Sequence, residues 1–216
     1  LNALNLHDRT IMDLFDKSYT AVAGIDEVGR GPLAGPVVAA CVHIPDEIMI
    51  CEWLDEVTDS KKLSKAKRNR LAPLIKQHCI WSIAEISPQE IDQINILQAT
   101  MKAMSQSAQN LCHDNKSLTL DMIYIDGNRL PQDLPSPAQA IVKGDSKVKE
   151  IACASIIAKV HRDTIMEQLG NEHPEYDWKS NSGYGTKKHL EAIEKYGVTT
   201  HHRHSFAPVR IKAESA

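Results

Sequence analysis

No stretch of this 216-residue chain is apolar for long enough to span a bilayer, and no amino-terminal run has the apolar length of a signal peptide. The expected setting is therefore the cytosol, with no membrane partner. Cysteine is sparse. The five residues Cys41, Cys51, Cys79, Cys112 and Cys153 form no C-x-x-C pair, and their odd number in mostly apolar surroundings reads as reduced thiols, not a disulfide framework. Internal repeats and low-complexity tracts are missing, so the chain is neither a solenoid nor a disordered tail. There is no G-x-x-x-x-G-K-[ST] and no G-x-S-x-G elbow. His201, His202 and His204 cluster near the end without an H-E-x-x-H motif or Cys/His spacing, and read as a surface tail, not a zinc site. The formal net charge of −3 argues against bulk affinity for nucleic acid.

What is present is a set of acids in an unusual position. Asp26 and Glu27, Asp126 and Asp145 each follow an apolar, strand-like stretch. Carboxylates gathered at strand ends would repel one another and raise at least one pKa unless a cation joined them. They are hard oxygen ligands suited to Mg²⁺ or Mn²⁺. Two such ions about 4 Å apart can clamp the attacking and leaving oxygens of a phosphoryl transfer. Beside the first pair lies Gly29-Arg30-Gly31, whose backbone N–H groups can approach a phosphate or sugar. This is not a dinucleotide fingerprint. With Gly35 the spacing is G-x-G-x-x-x-G, and an apolar strand follows where a helix would be needed.

Charge is unevenly spread. Between Ser60 and Ala84 there are seven cations (Lys61, Lys62, Lys65, Lys67, Arg68, Arg70, Lys76) and no carboxylate. One basic face on an acidic protein fits a polyanion held in a defined orientation, or merely a solvated helix.

Periodicity predicts a leading helix over Leu6–Asp16, then strands over Ala21–Ile25 and Val37–Ile44 joined by a turn stiffened by Pro32 and Pro36. Ser64 is an N-cap for a helix to about His78, with Pro73 expected to kink or end it. A strand over Ile80–Ile86 precedes a helix opened by Ser87-Pro88 and reaching about Leu111. Strands over Met122–Ile125 and Ala138–Val142 end at Asp126 and before Asp145. A helix rich in small residues covers Val148–Leu169, and Thr186–Tyr196 is a final amphipathic helix closed by Gly197. Hairpin-linked strands followed by strands alternating with helices predict an α/β mixed sheet with helices on both faces.

These residues also resemble a known family. The landmarks are GIDEVGRGPLAGP over residues 24–36, DSKKL over 59–63, IDG over 125–127 and KGD over 143–145. They continue with ASIIAKV over 154–160 followed by Arg162 and Asp163, and GYGT over 183–186. In this order and spacing the chain resembles ribonuclease HII, from about Ala21 to Val209. The resemblance implies a ribonuclease H-like five-stranded mixed sheet: a catalytic domain over residues 1–172 with a helical extension over 173–216 packed on it. It implies an endoribonuclease that cuts RNA in RNA–DNA hybrids and single ribonucleotides embedded in duplex DNA, leaving 3′-hydroxyl and 5′-phosphate ends; the chain is expected to be a monomer. The family's catalytic and metal-binding acids fall on Asp26, Glu27, Asp126 and Asp145. Its 2′-hydroxyl reader falls on Gly29, Arg30 and Gly31 together with Tyr184. Ser60, Lys61 and Lys62 are candidates for holding DNA phosphates. In the tail segment THHRHSF (200–206), His204 stands where the family commonly has a second Arg.

Two alternatives stay open on the residues alone. One is another metal nuclease of the same fold, separated by its activity on a duplex carrying one ribonucleotide. The other is a non-catalytic nucleic-acid binder, which would gain nothing from acids facing a phosphate backbone.

Overall fold

The computed structural model describes residues 21–214, so the helix expected over Leu6–Asp16 lies outside the described residues. Five strands form one sheet: β1 (Val22–Val28), β2 (Val37–His43), β3 (Ile80–Ile86), β4 (Met122–Asp126) and β5 (Ala138–Ile141), in the order β3-β2-β1-β4-β5. The first three pair antiparallel, and β4 and β5 continue the sheet in parallel to β1. This is the mixed five-stranded sheet that the sequence predicts.

The helices are α1 (Glu52–Asp55), α2 (Lys65–His78), α3 (Pro88–Asp114), α4 (Lys149–Glu172), α5 (Trp178–Asn181), α6 (Lys187–Tyr196) and α7 (Ala207–Glu214). Local chemistry fixes three of the starts. The hydroxyls of Ser64, Ser87 and Thr186 accept the N–H groups of Lys67, Glu90 and His189. Gly197, at φ +82°, closes α6. Two expectations are corrected. Pro73 does not end α2, which runs on to His78. The helix opened by Pro88 is not uniform, because Asn95 at φ +66° kinks it and its Oδ1 accepts the N–H groups of Leu97 and Gln98.

Side-chain alternation splits the sheet into two buried faces. Val38, Ala40 and Val42 pack with Leu71 and Ile75 of α2 and with Ala154, Ile157 and Ala158 of α4. Ala23, Ile25, Val37, Ala39 and Cys41 face Ala99, Ala103, Met104 and Ala108 of α3. A third cluster joins Leu33, Ala34 and Met166 to Tyr176, Trp178, Ala192, Ile193 and Val209, so the segment after residue 173 packs on the turn between β1 and β2. All five cysteines are free; Cys41, Cys79 and Cys153 are buried. No helix among the described residues is long and apolar enough to cross a membrane.

Candidate active site

The acids are brought level by strand register. Gly24 pairs with Tyr124 and Ile25 with Ile125 across parallel β1 and β4, which sets Asp26 beside Asp126. Both lie two residues beyond positions facing α4, so they share that face. The helix reaches them because Gly24 has no side chain. A Cβ there would lie 2.2 Å from the backbone nitrogen of Ile151. From that crossing, four residues of helix and two of strand advance about the same 6 Å, which sets Ser155 against Asp26. There the Ser155 hydroxyl acts on the Asp26 carboxyl and lowers its pKa. Asp145 sits in a short turn before α4, and the N–H of neighbouring Gly144 donates to Asp126 Oδ1 at 2.7 Å. Glu27 alternates to the other face at the end of the sheet, where Arg30 Nη1 lies 3.4 Å from its Oε1. Asp26 and Glu27 are inside β1, which runs to Val28 and does not end at Asp26 as the sequence suggested.

This cluster is short of positive charge. Asp26 is 6% exposed. Burial, then the charges of Glu27 and Asp126, hold its carboxyl well above the usual range, and only the Ser155 hydroxyl and the Glu27 N–H oppose them. Burial also raises Glu27, against the pull of Arg30. Asp145 is raised by burial and then by Asp126 and Asp59, with Lys61 opposing. A buried carboxyl whose neighbours are acids and hydroxyls fits a divalent cation. Among the described residues, no three of these acids bring ligand atoms within 4.8 Å of one another.

The glycine turn stands next to the acids, and two buried arginines hold it from behind. Arg203 donates to the carbonyls of Gly29 (2.6 Å), Arg30 (3.0 Å) and Gly35 (2.9 Å). Arg162 donates to Ala34 (3.0 Å), Pro36 (2.9 Å) and Ser182 (3.0 Å). In a trans peptide the N–H opposes the C=O. Carbonyls 29 and 30 turned inward therefore aim the N–H groups of Arg30 and Gly31 outward. Gly29 must be glycine, because its φ is +94° and a Cβ would lie 2.2 Å from Arg162 Nε. Burial lowers the guanidinium pKa to about 10 at Arg162 and about 9 at Arg203. Both stay charged at neutral pH and place positive charge under the turn.

Tyr184 joins the turn. Leu33 N–H donates to the Gly183 carbonyl at 2.8 Å, docking the 183–185 loop. A Cβ on Gly31 would lie 3.4 Å from Tyr184 Cε1, so the ring lies beside the turn while 50% exposed.

Three sequence readings change. The Ser60 side chain does not point to the surface. It is 4% exposed, and its Oγ lies 2.8 Å from Ser155 Oγ. The two hydroxyls share a hydrogen bond, which ties Ser60 to the residue that acts on Asp26. The basic face of α2 is largely answered by acids from elsewhere. Lys65 pairs with Glu167, and Lys67 and Arg70 with Glu56. Arg68 donates to the carbonyls of Ser60 and Leu63. Lys61 and Lys62 remain exposed, with Asp59 3.9 Å from Lys62. The histidine segment is no surface tail, because His202 and Arg203 are buried and the turn around them is bonded to Leu33 and Gly35. Asp59, Ser155, Arg162 and Arg203 were not read as site residues. Asp59, Ser155 and Arg162 lie inside the resemblance segments, which was the available signal.

The family model described as ribonuclease HII matches residues 23–209. The ribonuclease HII of Neisseria meningitidis serogroup B is 50% identical over 193 residues, 89% of this chain and 95% of that one. The crystal structure of ribonuclease H2 from Pyrococcus horikoshii is 27% identical with a TM-score of 0.73, covering 91% of this chain and 98% of that one. Bst-RNase HIII, solved in complex with Mn²⁺, is 19% identical with a TM-score of 0.75 over 91% of this chain and 70% of that one, a likeness of fold.

Proposed function

The chain belongs to the ribonuclease HII family of type 2 endoribonucleases, and from that premise we propose that it cuts the RNA strand of RNA–DNA hybrids and duplex DNA at single embedded ribonucleotides. The observation that supports this reading is that Asp26 and Asp126 lie side by side across β1 and β4, close in sequence to a glycine turn that a half-exposed Tyr184 approaches. Two divalent ions, Mg²⁺ or Mn²⁺, held by Asp26, Asp126 and Asp145, with Glu27 as a further ligand, would activate the attacking water and stabilise the departing 3′ oxygen. The Mn²⁺ bound by Bst-RNase HIII supports that choice of ion.

The chain's own residues supply position and selectivity. Ser155 and Ser60 fix the Asp26 carboxylate. The N–H groups of Arg30 and Gly31 and the Tyr184 hydroxyl address the ribose 2′-hydroxyl, the group that separates RNA from DNA. The Tyr184 ring packs on the neighbouring deoxyribose, and Lys61 and Lys62 hold phosphates. The chain acts as a monomer in the cytoplasm.

Tyr184 gives the test of this reading. Tyr184→Phe loses the hydroxyl and keeps the packing, costing about 1–2 kcal/mol of transition-state binding. Tyr184→Ala loses both and costs more. The defect is expected to be larger on a duplex with one ribonucleotide than on a continuous hybrid. Equal cleavage of both substrates by Tyr184→Ala and the parent would make Tyr184 a packing residue only.

Salt dependence separates the lysines. Lys61→Ala and Lys62→Ala should each flatten the plot of log affinity against log salt by about 0.7–0.9. Lys65→Ala and Lys67→Ala, whose partners are Glu167 and Glu56, should leave the slope unchanged. An unchanged slope at Lys61 and Lys62 would show that they are only solvated.

A further inference from the structure

The tightest gathering of ligand-type side chains among the described residues lies away from the four acids. Glu172 at the end of α4, the adjoining His173, and His201 bring one ligand atom each within 4.8 Å of one another. We propose that these three residues form a second metal site, of the zinc class, that clips the end of α4 to the segment carrying Arg203.

Two imidazoles and a carboxylate are the ligand set of an open, three-residue Zn²⁺ site, whereas Mg²⁺ prefers oxygen ligands throughout. Zn²⁺ bonds of about 2.0–2.2 Å put ligand atoms up to about 4 Å apart, so small side-chain rotations close the set. The rings are already oriented. His173 and His201 lie 5.4 Å apart between centroids. Both stand edge-on to the buried Trp178 indole, at 5.5 Å and 66° for His173 and 6.1 Å and 86° for His201. Glu175 Oε1 lies 3.5 Å from His173 Nδ1, which adds a second carboxylate beside the group. The negative end of the α4 dipole favours a cation at this position.

The site has a structural consequence. The carbonyl of His201 accepts the N–H of Gly35 at 2.9 Å, and Arg203 two residues on holds Gly29 and Arg30. An ion here would fasten the support of the glycine turn without touching the acids or the substrate.

The test is calorimetric titration of Zn²⁺ into the full chain in excess Mg²⁺, which occupies the oxygen-only ligands. One zinc equivalent is expected, and Zn²⁺ should raise the thermal midpoint. His173→Gln and His201→Gln should each weaken that binding more than tenfold and remove the rise in midpoint. Glu172→Gln, at an exposed position that leaves the fold intact, should weaken it by a smaller factor. Cu²⁺ bound at the site should show nitrogen hyperfine splitting in its electron paramagnetic resonance spectrum, reduced in either histidine variant. No Zn²⁺ uptake by the parent at micromolar concentrations would overturn the proposal. So would uptake unchanged in both His173→Gln and Glu172→Gln.

Discussion

Asp26→Asn is expected to abolish cleavage and, in the same protein, to raise the thermal midpoint measured without metal. The two effects have one cause. The carboxyl is buried, its acidic neighbours raise its pKa further, and no cation is among the groups acting on it. Replacing it removes a metal ligand, so the rate should fall by at least about 10²–10³, the scale of losing one element of transition-state charge stabilisation. It also removes a charge the fold holds at a cost, and each kcal/mol relieved raises the midpoint by about 2–4 °C for a chain of this size. The pH dependence has a definite sign. A carboxyl with a raised folded pKa binds more protons folded than unfolded. The stability of the metal-free parent should therefore fall as pH rises above the ordinary carboxylate range, about pH 4, through the folded value. Asp26→Asn should flatten that decline. Mg²⁺ should raise the midpoint of the parent at neutral pH more than that of the variant. Thermal melts at several pH values with and without Mg²⁺ read all of this. A variant less stable than the parent without metal would show that Asp26 is a structural residue.

Arg203→Leu is expected to have the largest effect on stability. The side chain is fully buried and satisfies three carbonyls of the glycine turn. Leucine leaves those oxygens without donors, at about 1–3 kcal/mol each where water cannot replace them. With partial relaxation the loss should be about 3–5 kcal/mol, lowering the midpoint by about 10 °C. Arg203→Lys should recover only part, because an ammonium cannot reproduce the planar fork. Any folded Arg203→Lys enzyme should lose discrimination for ribonucleotides more than metal affinity, since the turn is released and the acids are not touched. A midpoint within a degree of the parent for Arg203→Leu would show that the turn holds its shape without the guanidinium.

These two residues show which kind of structure is legible in a sequence. Asp26 is read directly, because an acid after an apolar strand is a local anomaly. The caps at Ser64, Ser87 and Thr186 are equally local, and the helices start where they say. Arg203 was not legible. Its partners Gly29 and Arg30 lie 174 and 173 residues away, and nothing in the segment THHRHSF says that the guanidinium faces inward. Ser60 was misread for the same reason. A Ser beside two lysines looks like a phosphate ligand, but its hydroxyl faces Ser155 of α4, 95 residues on. The basic run from Lys65 to Arg70 carries no acid of its own, because its partners Glu56 and Glu167 come from other parts of the sequence. The kink at Asn95 needs a positive φ that apolar periodicity does not encode.

The central claim is that Asp26, Asp126 and Asp145 form a metal-dependent centre aimed by the Gly29–Gly31 turn at a ribose 2′-hydroxyl. The most direct measurement is cleavage of a DNA duplex carrying one ribonucleotide, beside the same duplex made wholly of DNA, with Mg²⁺ and with a chelator. The account predicts one cut on the 5′ side of the ribonucleotide, leaving a 3′-hydroxyl and a 5′-phosphate. It predicts no cut in the all-DNA duplex, none with chelator, and none by Asp126→Asn at saturating Mg²⁺. Equal cutting of both duplexes, or near-normal cutting by Asp126→Asn, would contradict it.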